Sequence, residues 1–394
     1  MPDKMLDVKL ARIKADPQCR DFIIADAKDA DMAYGIAAPG RSPEMHAHEA
    51  RFRSLAEYRE CIRDVVRQGM LDIVLMSAHT SAILTIEEGL FEGSPVTPAA
   101  RANDTTDIYL ARGAHHGAEP SRPFRTATID HLQCGHIDCA PAERARGADL
   151  GLYSVTFNND AELDRQTLEA YKAFRIEAER KQFRHFLEVF DPNAPRHPVD
   201  PSKLGAFMND MIVRCLAGVP EAGRPLFLKV VYHGPKFTEE LARYDPTLVV
   251  GVLGGAAGTT YDAFKLIADA QKYGARVALF GRKINNAEHQ LAFITMLRRI
   301  VDGELSAEEA VHAYHGVLQG LKIKPHRPLH DDMKLTEPVF SYGTGPAAVM
   351  VPGGAARGVA GTAARKPQRL DFGKMSGKER MEYHRKRLRG VGGA

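Results

Sequence analysis

Lys229 sits inside the apolar run PLFLKVVYHG. Desolvation there disfavours an ammonium and favours the free amine, the form that adds to a carbonyl carbon and becomes a Schiff base. A lysine in an apolar strand otherwise snorkels to an edge or pairs with a carboxylate, so its sequence context decides between structure and chemistry. Two later runs end in glycine: VVGVLGGAAGTT carries Gly254 and Gly255, and ALFGRKIN carries Gly281 followed by Arg282. Where such runs are barrel strands, glycines at their carboxyl ends let backbone N–H groups approach a phosphate. A second set of reactive side chains, His131, Cys134, His136 and Cys139 in DHLQCGHIDC, has a spacing compatible with zinc, although it lacks two well-separated ligand pairs. His79, His115 and His116 fall in stretches that would connect elements and are weaker candidates.

The elements that must position these groups read as repeated strand and helix. Eight β-type runs are visible: 22–26 (FIIAD), 71–76 (LDIVLM), 106–111 (TDIYLA), 149–157 (DLGLYSVTF), 184–190 (RHFLEVF), 226–232 (LFLKVVY), 247–253 (TLVVGVL) and 275–280 (ARVALF). Most are separated by enough chain for a crossover helix, the pattern of a parallel sheet. The clearest helix is 161–183, with Leu163, Leu168, Tyr171, Phe174 and Ile176 approximating an apolar stripe. Another, YDAFKLIADAQKYGAR, turns Phe264, Leu266 and Ile267 inward and stops at Gly274. Eight such units predict a (β/α)8 TIM barrel over 21–325, preceded by a segment 1–20. An open doubly wound sheet is disfavoured because no Gly-x-Gly-x-x-Gly turn follows the first run and no Gly-Lys-Ser/Thr phosphate loop occurs. The barrel carries a long excursion, 113–148, after its third strand. From 326 to 394 a C-terminal extension follows, first a Gly/Ala-rich linker and then a basic tail that could form a short helix.

Composition narrows the classes. The 394 residues are 44% hydrophobic and 26% charged, enough for one large core. No apolar run approaches the roughly 18 residues of a membrane span, and the first residues are too charged for a signal peptide. Five cysteines, an odd number spread thinly, point to reduced thiols and a cytoplasmic protein. The net charge of +3 names no partner, but the tail from Arg365 concentrates basic residues.

The run from Leu226 to about Leu318, containing LKVVYHG, then VVGVLGGAAGTTYDAFKLIADAQKYGARVALFGRKI, then SAEEAVHAYHGVL, resembles the last third of the archaeal-type class I fructose-bisphosphate aldolases and their relatives acting on deoxyribose phosphate and tagatose bisphosphate. The resemblance implies that Lys229 forms the imine and that Gly254, Gly255, Gly281 and Arg282 hold a substrate phosphate. It also implies a catalytic Asp at the end of the first strand, assigned to Asp26, with Lys28 beside it as a substrate or phosphate contact. The fifth strand, HFLEVFDPN, resembles the tagatose-bisphosphate branch, which places proton handling on Glu188. The fructose-bisphosphate branch would show a Tyr in that strand, where this chain has Phe190 as its nearest aromatic. In the fourth strand, Tyr153 and Ser154 could supply hydrogen bonds. The implied activity is an aldehyde-lyase that needs no metal and no cofactor. Its partner would be a phosphorylated sugar, and the chain would assemble as a homo-oligomer, without membrane contact and without an expected nucleic-acid partner. Two other readings stay open: a metal-dependent barrel lyase or isomerase using His131, Cys134, His136 and Cys139, and a non-catalytic scaffold whose tail binds nucleic acid or serves assembly.

Overall fold

A computed structural model describes residues 3–16, 18–42, 52–255 and 258–336, with a few positions between 375 and 383. Eight parallel strands close into a barrel: β1 Ile23–Lys28, β2 Ile73–Met76, β3 Thr97–Arg101, β4 Leu150–Thr156, β5 Arg184–Phe190, β6 Leu228–Val230, β7 Gly251–Leu253 and β8 Val277–Phe280. Each pairs with its neighbour in chain order, and β8 returns to β1 through the register Ile23↔Val277 to Asp26↔Phe280. The fold is thus the (β/α)8 barrel read from the sequence.

Side chains alternate across each strand, so one parity fills the lumen and the other meets the helices. Ile23, Ala25, Leu152, Phe186, Phe227 and Leu279 belong to the inner cluster, whereas Ile24, Val155, Leu187, Leu228 and Ala278 pack in the outer layer. Both faces are apolar, as burial on two sides requires of a parallel sheet. This alternation decides which polar residues of a strand can reach a substrate.

The third strand lies earlier than the sequence predicts. It is TPAAR at Thr97–Arg101, a short run with a proline and two alanines whose β-propensity is weak. The expected strand 106–111 is instead a turn. There buried Asp107 accepts hydrogen bonds from the hydroxyls of Ser121 (2.7 Å) and Thr156 (2.8 Å). The excursion before β4 consequently begins near Ala102 and includes a small hairpin, Asp104–Thr105 with Pro123–Phe124.

Nine longer or structurally placed helices accompany the described strands: α1 Met5–Ala15, α2 Leu55–Gln68, α3 Ile129–Cys134, α4 Ala161–Arg180, α5 Leu204–Leu216, α6 Pro235–Tyr244, α7 Thr260–Lys272, α8 Gln290–Val301 and α9 Ala307–Gly320. In α4, Asp160 caps the N–H groups of Glu162 and Leu163, and the buried stripe runs through Thr167, Tyr171, Phe174 and Ala178. Ile176, expected in that stripe, is exposed because it lies off this face. Helix α7 does bury Phe264, Leu266 and Ile267, starts at a Thr259–Asp262 capping box, and is followed by Gly274 at φ +101°. The packed body continues beyond residue 325: His315 pairs with Asp332 at 2.9 Å, and Asp332 accepts from the Thr260 N–H at 2.8 Å. The Gly/Ala-rich linker and most of the basic tail lie outside the described residues. No described helix is long and apolar enough to cross a membrane.

Helix α1 plugs the amino end of the barrel, with Leu6 and Leu10 joining the inner cluster. Its anchor is Asp72, at the entrance to β2. The buried carboxylate meets Lys9 Nζ at 2.7 Å and Arg298 Nη2 at 2.6 Å, and accepts from the Ile24 N–H at 2.7 Å. Removing it leaves two half-buried cations facing each other. Asp72→Ala is expected to cost about 3–5 kcal/mol in urea unfolding, the scale of breaking a buried charge network.

Candidate active site

Register brings three polar residues to one level of the lumen. Ser154 of β4 stands opposite Glu188 of β5, and Glu188 opposite Lys229 of β6. All three share the parity of the inward-facing residues Leu152, Phe186 and Phe227. Adjacent strands lie about 4.8 Å apart, so level side chains on one face must touch. Lys229 Nζ lies 2.5 Å from Glu188 Oε1, and the Ser154 hydroxyl donates to Glu188 Oε2 at 2.6 Å. Lys229 retains only 7% exposure and Glu188 1%. Lys229 is therefore not an amine among apolar groups alone, because its nitrogen is held by a buried carboxylate.

Arg101, at the end of β3, completes the group. Its guanidinium donates to Ser154 Oγ (3.0 Å), to Glu188 Oε2 (3.4 Å) and to Asp29 Oδ2 (2.5 Å). Burial alone would lower the pKa of this arginine, but the charges of Asp29 and Glu188 outweigh it and hold the guanidinium ionised. Two cations and two carboxylates thus balance in the lumen. Asn103 fixes the level of β4: its side-chain oxygen accepts from the Ser154 N–H at 2.6 Å and its amide donates to the Ser154 carbonyl at 2.8 Å. Sequence reasoning missed Arg101, Asn103 and Asp29; the first two follow directly once β3 is placed at 97–101. Ser154 does supply a hydrogen bond, whereas Tyr153 points outward and packs its ring 4.5 Å from that of Phe174.

Asp26 and Lys28 require a correction. They share the parity of Ile24, on the outer face of β1, and both are fully buried between that strand and the helices. Lys28 Nζ lies 3.2 Å from Asp26, donates to Gln290 Oε1 of α8 at 2.6 Å, and stands 6.0 Å from the centre of the Tyr58 ring of α2. Neither enters the lumen. Just past the end of β1, Asp29 is joined to Glu188 through Arg101, which contacts both.

Gly254, Gly255, Gly281 and Arg282 stand at the ends of two neighbouring strands, β7 and β8, with Leu253 opposite Leu279. Gly254 is needed for packing, because a Cβ there would stand 2.3 Å from the Phe280 ring. Its N–H already donates to the Leu279 carbonyl at 2.7 Å. Gly255 adopts φ +59° beyond it, at an exposed turn. Gly281 packs against the Ala27 carbonyl, which a Cβ would approach to 2.9 Å, and Arg282 lies 5.9 Å from the centre of the Tyr34 ring. Lys283 ties the β7–α7 loop down by donating to the carbonyls of Gly258 (2.7 Å) and Thr259 (2.9 Å).

The four residues His131, Cys134, His136 and Cys139 do not meet as one set. His131 Nδ1 turns to the Thr128 hydroxyl at 2.7 Å, at the opposite end of α3 from Cys134. The segment that follows α3 leads into the amino end of β4, away from the carboxyl ends where the glycines stand. His115 and His116 are exposed in the excursion, and His79 lies in the short helix Ala78–Ser81 after β2.

With this geometry in place, the chain can be set beside solved structures. It is similar to an archaeal fructose 1,6-bisphosphate aldolase, with a TM-score of 0.51 and 15% identity over 76% of this chain and 99% of the other. It is similar at 0.51 and 16%, over 75% and 99%, to an archaeal fructose-1,6-bisphosphate aldolase whose catalytic Lys is covalently bound to the carbinolamine intermediate of the substrate. The fructose-bisphosphate aldolase from Slackia heliotrinireducens gives 0.54 and 12%, over 78% and 89%. These aldolases share the barrel fold of this chain. At these identities the likeness carries the fold. No protein-family model and no curated protein sequence matches the chain.

Asp26 supplies a pH test of its placement. Burial raises its pKa to about 6, against the opposing pull of Lys28. The folded state then binds this proton more tightly than the unfolded chain, so this carboxyl favours folding at low pH and the contribution is lost as pH rises from about 4 through about 6. The stability of the wild type relative to Asp26→Asn, read from urea unfolding, should fall over that interval.

Proposed function

We propose that the chain is a Schiff-base aldolase, a carbon–carbon lyase acting on a phosphorylated sugar. The observation that carries this reading is Lys229 Nζ held 2.5 Å from Glu188 in the lumen, beneath strand ends bearing Gly255, Gly281 and Arg282. The ketone of the substrate would enter from the carboxyl ends of the strands. Glu188 takes a proton from the Lys229 ammonium, and the freed amine adds to the carbonyl carbon to give a carbinolamine. Glu188 returns that proton to the carbinolamine hydroxyl, which leaves as water, so that a protonated imine forms and Glu188 is ionised again.

That iminium is the electron sink for cleavage. A base must remove the proton of the hydroxyl whose carbon becomes the aldehyde; the broken bond's electron pair then moves into the imine to form an enamine. Glu188 fits this role because, ionised again, it is the carboxylate beside the nitrogen to which the substrate is bonded. Ser154 and Arg101 hold the other carboxylate oxygen, so Glu188 is oriented as well as placed. In place of Asp26, the Asp29–Arg101 pair on the lumen side would position the carbinolamine. The phosphate would rest on the backbone N–H groups of Gly255 and Gly281 and on the Arg282 guanidinium, with the Gly254 N–H committed to β8. The route uses no metal and no organic cofactor. A fructose-bisphosphate substrate is not favoured over other ketose phosphates, because β5 presents Glu188 and Phe190 and no tyrosine.

Borohydride reduction with dihydroxyacetone phosphate should add the ligand's mass less one oxygen to the peptide containing Lys229. Lys229→Ala should abolish the adduct. Glu188→Gln should retain it while lowering the rate of bond cleavage by roughly 10²–10⁴-fold, the scale of a lost general base. An adduct absent from wild type at saturating ligand, or unchanged in Lys229→Ala, would refute the proposal.

A further inference from the structure

The loop between α3 and β4 brings together groups that the reaction does not use. Gly135 (φ +88°) and Asp138 (φ +57°) reverse the chain, and the Gly147 N–H donates to the Gln133 carbonyl at 2.7 Å, closing the loop at its base. Within it the sulfurs of Cys134 and Cys139 and a carboxylate oxygen of Glu143 all lie within 4.8 Å of one another. Both cysteines are buried, although the loop is otherwise poor in apolar cover, with Ile137 61% exposed. All five cysteines of the chain are free thiols.

A fourth donor stands at the edge of this cluster. His136 Nδ1 is 2.8 Å from the Ile137 carbonyl, which can only accept, so Nδ1 carries the hydrogen of the neutral ring, whose lone pair is then on Nε2. That Nε2 lies 3.3 Å from Glu143 Oε1. Metal-ligating histidines are commonly held in this way, by a carbonyl on the other ring nitrogen. Glu143 is itself oriented, because its second oxygen accepts from the Ala140 N–H at 3.2 Å.

We propose that Cys134, Cys139, Glu143 and His136 form a structural site for a thiophilic divalent cation of the zinc type. Two sulfurs with one oxygen and one imidazole nitrogen make a four-ligand set suited to tetrahedral coordination. Binding displaces one proton from each thiol to solvent and changes no oxidation state. Two thiolates and a carboxylate against a divalent cation leave one negative charge, which Arg146, 3.4 Å from Glu143 Oε1, offsets. The site differs from the four-residue set of the sequence by exchanging His131 for Glu143. Its place at the amino end of β4 assigns it to stability and not to the chemistry at the carboxyl ends. A loop too small to build its own core gains the cross-link that burial cannot provide.

The test uses the full chain, reduced and stripped of metal, titrated with Co²⁺. Stoichiometric uptake with a sulfur-to-cobalt charge-transfer band and tetrahedral visible bands is expected, displaced by Zn²⁺ and accompanied by a higher Tm. Cys134→Ser and Cys139→Ser should lose the charge-transfer band, and Glu143→Gln, which leaves both thiols and the fold intact, should weaken binding by at least about tenfold. Borohydride trapping at Lys229 should survive metal removal, separating this site from the catalytic reading. Absence of the band, equal binding in the Cys134→Ser variant, or isolation of a Cys134–Cys139 disulfide in place of bound metal from zinc-supplied cells would overturn the proposal.

Discussion

A lysine and a glutamate can share the interior of a barrel only as partners, because either charge alone would carry a desolvation cost of several kcal/mol. The register Glu188↔Lys229 satisfies that constraint here, and much of the lumen is arranged around it. Ser154 and Arg101 occupy the glutamate's second oxygen, Asp29 balances the arginine, and Asn103 fixes the strand that carries Ser154. Changing the register between β5 and β6 by one residue would send one of the two charges into the apolar layer under the helices. The pair therefore constrains the fold as much as the fold positions the pair.

A pair this close also frames the chemistry. In the proposed reaction, the proton that must leave the lysine before it attacks a ketone has an acceptor in contact with it, and that acceptor, once it has returned the proton, would deprotonate a hydroxyl. One carboxylate in two successive roles is economical in a lumen that accommodates few charges. Arg101 limits the freedom of that carboxylate, so its direction is set by these contacts. The amino end of the barrel is given to stability: α1, Asp72 and the α3–β4 loop lie there, remote from the strand ends at which a phosphate would dock.

How far the sequence could be read depended on whether a signal was local. Seven of the eight strand positions were legible as apolar runs, and Lys229, Glu188 and the glycine ends of β7 and β8 stood out within them. TPAAR did not, since a proline and two alanines are held as strand only by neighbours on both sides, and with β3 displaced Arg101 could not be found. The fate of Asp26 shows a different limit. Alternation places Asp26 and Lys28 on one face of β1 with Ile24, but both faces of a parallel barrel strand are apolar, so no pattern within FIIADAKD says which face looks inward. The cysteine loop shows a third, because Glu143 joins Cys134 and Cys139 through a reversal at Gly135 and Asp138 that spacing alone does not encode.

In the proposed reaction Lys229 and Glu188 are the reacting pair, and the substrate reaches them from the glycine-bearing strand ends. A crystal structure of the protein reduced by borohydride in the presence of dihydroxyacetone phosphate examines both parts at once. The account predicts continuous density from Lys229 Nζ to the former carbonyl carbon, Glu188 within hydrogen-bonding distance of the adduct, and the phosphate at Gly255, Gly281 and Arg282. An unmodified Lys229, or an adduct whose phosphate lies away from β7 and β8, would contradict it.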